Sequence, residues 1–78
     1  MKLIRKTKDV RDKTSYSFFV VIKPEGSPFK LESGWDNIQE AKDMVKELPG
    51  YLNAKAFAKK DLVKFNLDPA KENNWYKG

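Results

Sequence analysis

Ser15-Tyr16-Ser17-Phe18-Phe19-Val20-Val21-Ile22-Lys23 is the stretch whose reading decides the fold. Its five central residues are all aromatic or β-branched, the composition of a β-strand and too short a run for a buried helix. A two-residue repeat puts Tyr16, Phe18, Val20 and Ile22 on one face and Phe19 and Val21 on the other. Both faces are apolar. An edge strand with one wet face has no use for that pattern, so the strand is expected in the centre of a sheet covered on both sides.

Working outward, Pro24-Glu25-Gly26 predicts a type I turn, with proline second and glycine fourth. Ser27-Pro28 keeps the chain extended into the next strand, residues 29–32, antiparallel to the first. Upstream, residues 2–8 alternate weakly and read as a polar edge strand whose lysines discourage pairing with other chains. Residues 9–14 are a polar connection.

Helical periodicity begins at residue 36. Asp36 is the expected N-cap, with Gln39 at the capping-box spacing. Ile38, Ala41, Val45 and Leu48 form one apolar stripe with Met44 beside it, and Pro49-Gly50 ends the helix. Residues 51–59 place Leu52, Ala54, Ala56 and Ala58 on one face of a further strand, although their Ala-Lys content also permits helix. Residues 60–65 read as one or two helical turns bearing Leu62 and Phe65. Asp68-Pro69 has the form of an N-cap followed by proline at the first helical position, which starts a last short helix. Gly34 and Gly50 are expected at turns or element ends.

The resulting fold class is α+β: a small antiparallel sheet of three to four strands, one main helix (36–48) packed on one face, and short C-terminal helical turns. Phe19 and Val21 need cover on the opposite face, and the C-terminal segment is the nearest supply. At 78 residues the chain makes one domain, 1–78, with a thin stability margin. Two fates are open to Trp75-Tyr76: docked in the core, which so small a core favours, or an exposed aromatic plug for a partner.

Composition removes most chemistry. The chain has no histidine and no cysteine, so disulfides, thiolate nucleophiles, imidazole bases and Cys/His zinc sites are excluded. No phosphate-loop or dinucleotide glycine pattern occurs, and no cofactor is expected. Asp36, Glu40, Asp43 and Glu47 line one helix face, a pattern read as a solvated surface rather than a metal site. An apolar h-region and a membrane-length apolar run are both lacking, so the expected location is cytoplasmic and no membrane partner is expected.

Charge is polarised. The formal net charge is +5, yet residues 1–13 alone carry +4 and residues 36–50 carry −2. Lys6, Lys8, Arg11 and Lys13 are therefore the candidate binding residues, with Trp75 and Tyr76 as a possible aromatic contact. Three strands followed by a helix over residues 2–48 are similar in outline to the arm-binding domains of phage integrases, which lay their sheet on DNA. That resemblance is one of element order, and residues 15–32 contain no arginine for base reading.

By elimination, the chain is expected to be a small non-catalytic intracellular binding module whose partner is another protein, with self-association open to it. The alternative is non-specific binding of a DNA or RNA backbone through the Lys/Arg-rich N-terminal hairpin. The helix phase is testable directly. Val45→Asp should unfold the domain, whereas Asp43→Lys should shift stability by only a few tenths of about 1 kcal/mol, read by thermal melting.

Overall fold

β1 (Phe18–Ile22) lies between β2 (Lys30–Trp35) and β3 (Lys55–Ala58) in the computed structural model, antiparallel to both. The structure describes residues 13–76, and the expected strand at 2–8 lies outside them. β2 and β3 therefore run parallel to each other with β1 between them. Such a pair cannot be joined by a tight turn, and α1 (Ile38–Glu47) makes the crossover on one face of the sheet. The central position of β1 agrees with its two apolar faces, and the α+β class holds.

The β1–β2 turn sits one residue later than the expected type I turn. Ser27 N donates to Pro24 O at 2.9 Å, and Gly26 takes φ +78°. A positive φ at the third position is the type II arrangement, which favours glycine because it has no Cβ. The Lys23 carbonyl, which would close the earlier turn, instead accepts from Asn53 Nδ2 at 3.1 Å.

The hairpin register contains the feature on which the core depends. Phe18, Phe19 and Val20 oppose Trp35, Gly34 and Ser33, but Val21 opposes Leu31. Glu32 is the extra residue of a β-bulge. In a regular strand, Leu31, Ser33 and Trp35 share one face. The bulge instead sends Leu31 to the side of Phe19 and Val21, while Ser33 and Trp35 stay on the side of Val20 and α1. Trp35 Nε1 donates to Ser33 Oγ at 2.7 Å, which satisfies the buried indole N–H beneath the helix. β2 is also longer than the expected residues 29–32, because Ser33, Gly34 and Trp35 pair fully with β1.

Gly34 is a buried strand residue, not a turn, and Tyr16 explains it. A Cβ at Gly34 would fall 2.7 Å from Tyr16 Cγ and 3.1 Å from Tyr16 Cβ. The ring lies flush against the glycine, 1% exposed, with its edge toward Phe19 at 6.4 Å. Tyr16 thus joins the Phe19 face, opposite to the side that simple alternation assigns it. Regular pleating begins only at Phe18, after a bend at Ser17.

α1 starts one residue later than expected. Asn37, not Asp36, is the N-cap, with extended φ −138° and its Oδ1 accepting from Glu40 N at 2.9 Å. The asparagine keeps the three-residue spacing to a glutamate. The buried arc centres on Ala41 and Met44, with Val45 and Leu48 half-buried, whereas Ile38 is 36% exposed and stands at the margin. Met44 reaches the core because its unbranched side chain spans the extra distance. Leu48, extended ahead of Pro49, ends the helix.

Residues 51–59 are strand only in part. Leu52 N and Asn53 N close a 3-10 turn onto Pro49 O and Gly50 O at 3.1 and 3.0 Å, and pairing starts at Lys55. Leu52, Ala54 and Ala56 face α1, and the alanines allow the helix to approach closely.

The opposite face is closed by the C-terminal segment. The 3-10 helix Lys59–Phe65 supplies Leu62, which is 2% exposed, and Leu67 follows. Asp68 does not start a helix: its backbone and side-chain oxygens accept from Lys71 N and Ala70 N at 3.0 and 2.9 Å in a tight turn. Asn74 Oδ1 accepts from Asp68 N at 2.8 Å and draws the loop shut. Trp75 then docks. It is 5% exposed, donates from Nε1 to Pro69 O at 2.9 Å, and sets its ring edge-on to Phe19 at 6.1 Å. Its backbone forms a parallel bridge with Leu31, and Tyr76 N donates to Leu31 O at 2.7 Å.

Two substitutions test this packing by chemical denaturation. Gly34→Ala should cost at least about 1–3 kcal/mol by overpacking against Tyr16. Ending the chain at Asn74 should cost about 3–5 kcal/mol, most of the margin of so small a domain, and lower the melting temperature by well over about 5 °C.

Candidate functional site

Cover of the second sheet face is incomplete at the hairpin end. Val21 pairs with Lys55 and Phe19 with Phe57, so Lys55 and Phe57 project to the Val21 side. Lys23, two residues beyond Val21, follows the same parity. Phe65 ends the 3-10 helix that crosses this face, and Phe29 immediately precedes β2. Together with Asn53 they line a groove of about 360 Å³.

Three phenylalanines form its apolar wall. Phe65 sits between the others, with ring centroids 4.7 Å from Phe29 and 5.0 Å from Phe57. The rings are tilted to one another by 50° and 55°. Phe29 is 37% exposed, and Lys23 Nζ stands 5.7 Å from its ring centroid, a cation–π distance. Lys23 Nζ also reaches Ser27 O at 3.4 Å. Lys23 and Lys55 are the charged residues of the lining, and no carboxylate lines it.

Such a lining binds by burial and by attraction for negative charge. Its polar lining consists of Lys23, Lys55 and Asn53, and no group of metal-ligating side chains exists among the described residues. Asp43 and Glu47 are exposed on α1, Glu40 is half-buried there, and Asp36 is exposed one residue ahead of the N-cap, with Asp43 Oδ1 accepting from Gln39 Nε2 at 3.0 Å.

The sequence-derived candidates fall elsewhere. Lys6, Lys8 and Arg11 lie outside the described residues, and Lys13 opens the 3-10 turn Lys13–Ser15. Trp75 is a core residue on the Phe19 side, while Tyr76 is half-buried against the α1-side cluster. With α1 on one face and the C-terminal segment on the other, neither sheet face is bare in the manner that the integrase resemblance implies. The groove was missed because Phe29, Phe57 and Phe65 share no periodicity. Its one local signal is Lys55-Ala56-Phe57, a lysine and a phenylalanine on the same strand face.

No protein-family model significantly matches the chain, and neither does any curated protein or solved structure. Among the described residues, no helix is long and apolar enough to cross a membrane.

Exposure separates the roles of the wall residues. Phe65→Ala should cost about 2–4 kcal/mol, because both other rings rest on it. Phe29→Ala should cost about 1 kcal/mol, since over a third of that ring is already in water. Urea titration of the two variants measures the difference.

Proposed function

We propose that the chain is a small non-catalytic, cytoplasmic binding module whose partner is another protein, engaged through the Phe29–Phe57–Phe65 groove. The observation that carries this reading is a concave aromatic surface left open in a domain that can spare few aromatics. Ten of the 78 residues are aromatic, and a core this small has reason to bury Phe29 fully. Concave, mostly apolar sites with a few charges at the rim are where proteins take up ligands and partner side chains. Lack of histidine and cysteine, together with a lining that has no carboxylate, supports binding without catalysis.

Charge distribution favours a second reading. Residues 14–76 carry nine lysines and nine carboxylates, so the net positive charge resides in residues 1–13 and Lys77. Nucleic acid held non-specifically would be held there, by Lys6, Lys8, Arg11 and Lys13, and not by the groove.

One pair of experiments separates the two. The full chain carrying a photo-crosslinking benzoylphenylalanine at position 29 is irradiated in extract of its source cells. A discrete protein adduct that survives nuclease treatment is the expected result. In parallel, labelled protein is titrated with mixed-sequence DNA and RNA at low and moderate salt. Shifts that persist at moderate salt and vanish when Lys6, Lys8, Arg11 and Lys13 are all changed to Glu would transfer the function to the N-terminal segment.

A further inference from the structure

Resting on the binding-module reading, the lining of the groove also specifies its ligand. We propose that the groove takes a short acidic peptide segment bearing one large apolar side chain. The apolar side chain inserts against Phe29, Phe57 and Phe65, and carboxylates flanking it meet Lys23 and Lys55.

Volume supports a single anchor. At about 360 Å³ the groove is at the small end of ligand sites. A leucine or phenylalanine side chain with its adjoining backbone fits such a space, and a folded surface does not. Rim charge supports the acidic flanks. Lys23 and Lys55 face the groove with no carboxylate in its lining to balance them, so an incoming carboxylate gains attraction that an incoming lysine lacks. Asn53 spends its Nδ2 on the carbonyls of Lys23 and Tyr51. An amide oxygen accepts and does not donate, so the Oδ1 of this lining residue suits a peptide N–H, which a fatty acid or another simple amphiphile does not supply.

Ring geometry argues against nucleobases. Sequence-tolerant stacking requires an open, flat aromatic face. Here Lys23 stands over the Phe29 ring, and the other contacts are tilted by 50° and 55°. A second copy of the chain would have to offer an extended acidic segment, and its carboxylates Asp43 and Glu47 lie on the helix α1, which a groove of this volume does not admit.

The test uses the full chain, isotopically labelled, and three blocked peptides: a single phenylalanine flanked by glutamates, the same residue flanked by lysines, and an alanine flanked by glutamates. Saturable shifts at Val21, Asn53, Phe57 and Phe65 are expected with the first peptide alone. Affinity for it should fall about tenfold or more in the Lys23→Glu/Lys55→Glu variant and in Phe29→Ala, and should be unchanged in Asp43→Lys on the far helix. Equal binding of the lysine-flanked peptide overturns the acidic preference, and equal binding of the alanine-centred peptide overturns the apolar anchor. No groove shifts with any of the three overturns the proposal, while a nuclease-resistant protein adduct from position 29 would still uphold the binding-module reading. Groove shifts with mixed-sequence single-stranded RNA, equal in affinity to the first peptide, also overturn it. So does occupation by the chain itself. A nitroxide on Lys2→Cys, the sole cysteine of that variant, would then broaden Phe57 and Phe65 in the free protein. Broadening within one molecule marks its own N-terminal segment, and broadening of unlabelled molecules in a mixture marks a second copy.

Discussion

β1 is apolar on both faces, and a sheet three strands wide has no spare layer with which to hide them. Phe19, Val20 and Ile22 are fully buried, and Val21 is 2% exposed. Each face therefore needs its own cover, and among the described residues there is one α-helix, ten residues long, to offer. The helix takes the Val20–Ile22 side. A 3-10 helix, a closed loop and one tryptophan take the Phe19–Val21 side. The arrangement of the whole domain is a response to that two-sided demand.

The bulge at Glu32 makes the second cover effective. An unbroken β2 would place Leu31 on the α1 face with Ser33 and Trp35, and leave the outer part of the Phe19 face with no neighbour from that strand. With one residue inserted, Leu31 turns to the Phe19 side, and its backbone becomes the docking edge for Trp75 and Tyr76. Tyr16 fills the other end of the same face by lying on Gly34, where no side chain competes for the space. A large burial thus depends on two small backbone features, one extra residue and one absent Cβ. Burying rings of this size is worth about 1.5–3 kcal/mol each, which is a large share of the stability of a domain of this length.

The second cover is built from short pieces, and that is why it ends before the hairpin does. Lys59–Phe65 makes fewer than three 3-10 turns, and Trp75 returns along β2 rather than across β3. The hairpin end is left with Phe29 propped on Phe65 and two lysines at the rim. A longer helix on this side would have closed the groove. The site is the unclosed remainder of the core, and its aromatic lining comes from the same demand that built the rest.

Much of the fold was legible along the chain because it rests on local rules. The central strand followed from the run Phe18–Ile22, the helix from the apolar spacing of Ala41, Val45 and Leu48, and the need for a C-terminal cover from the stranded Phe19 and Val21. Errors of one residue at the turn and at the helix cap arose where two neighbouring residues were equally competent. At the turn the Lys23 carbonyl accepts from Asn53, thirty residues away, and at the cap Asn37 took the role that Asp36 had equal chemistry to fill. Beyond such local choices, tertiary structure alone decided which face Leu31 and Tyr16 occupy, why Gly34 is glycine, and that Phe29, Phe57 and Phe65 converge. Alternation is a local rule, and a bulge or a bend resets its phase without a sequence mark. Convergence of side chains from a hairpin, an edge strand and a 3-10 helix is set by how those elements pack, and packing is a property of the whole chain at once.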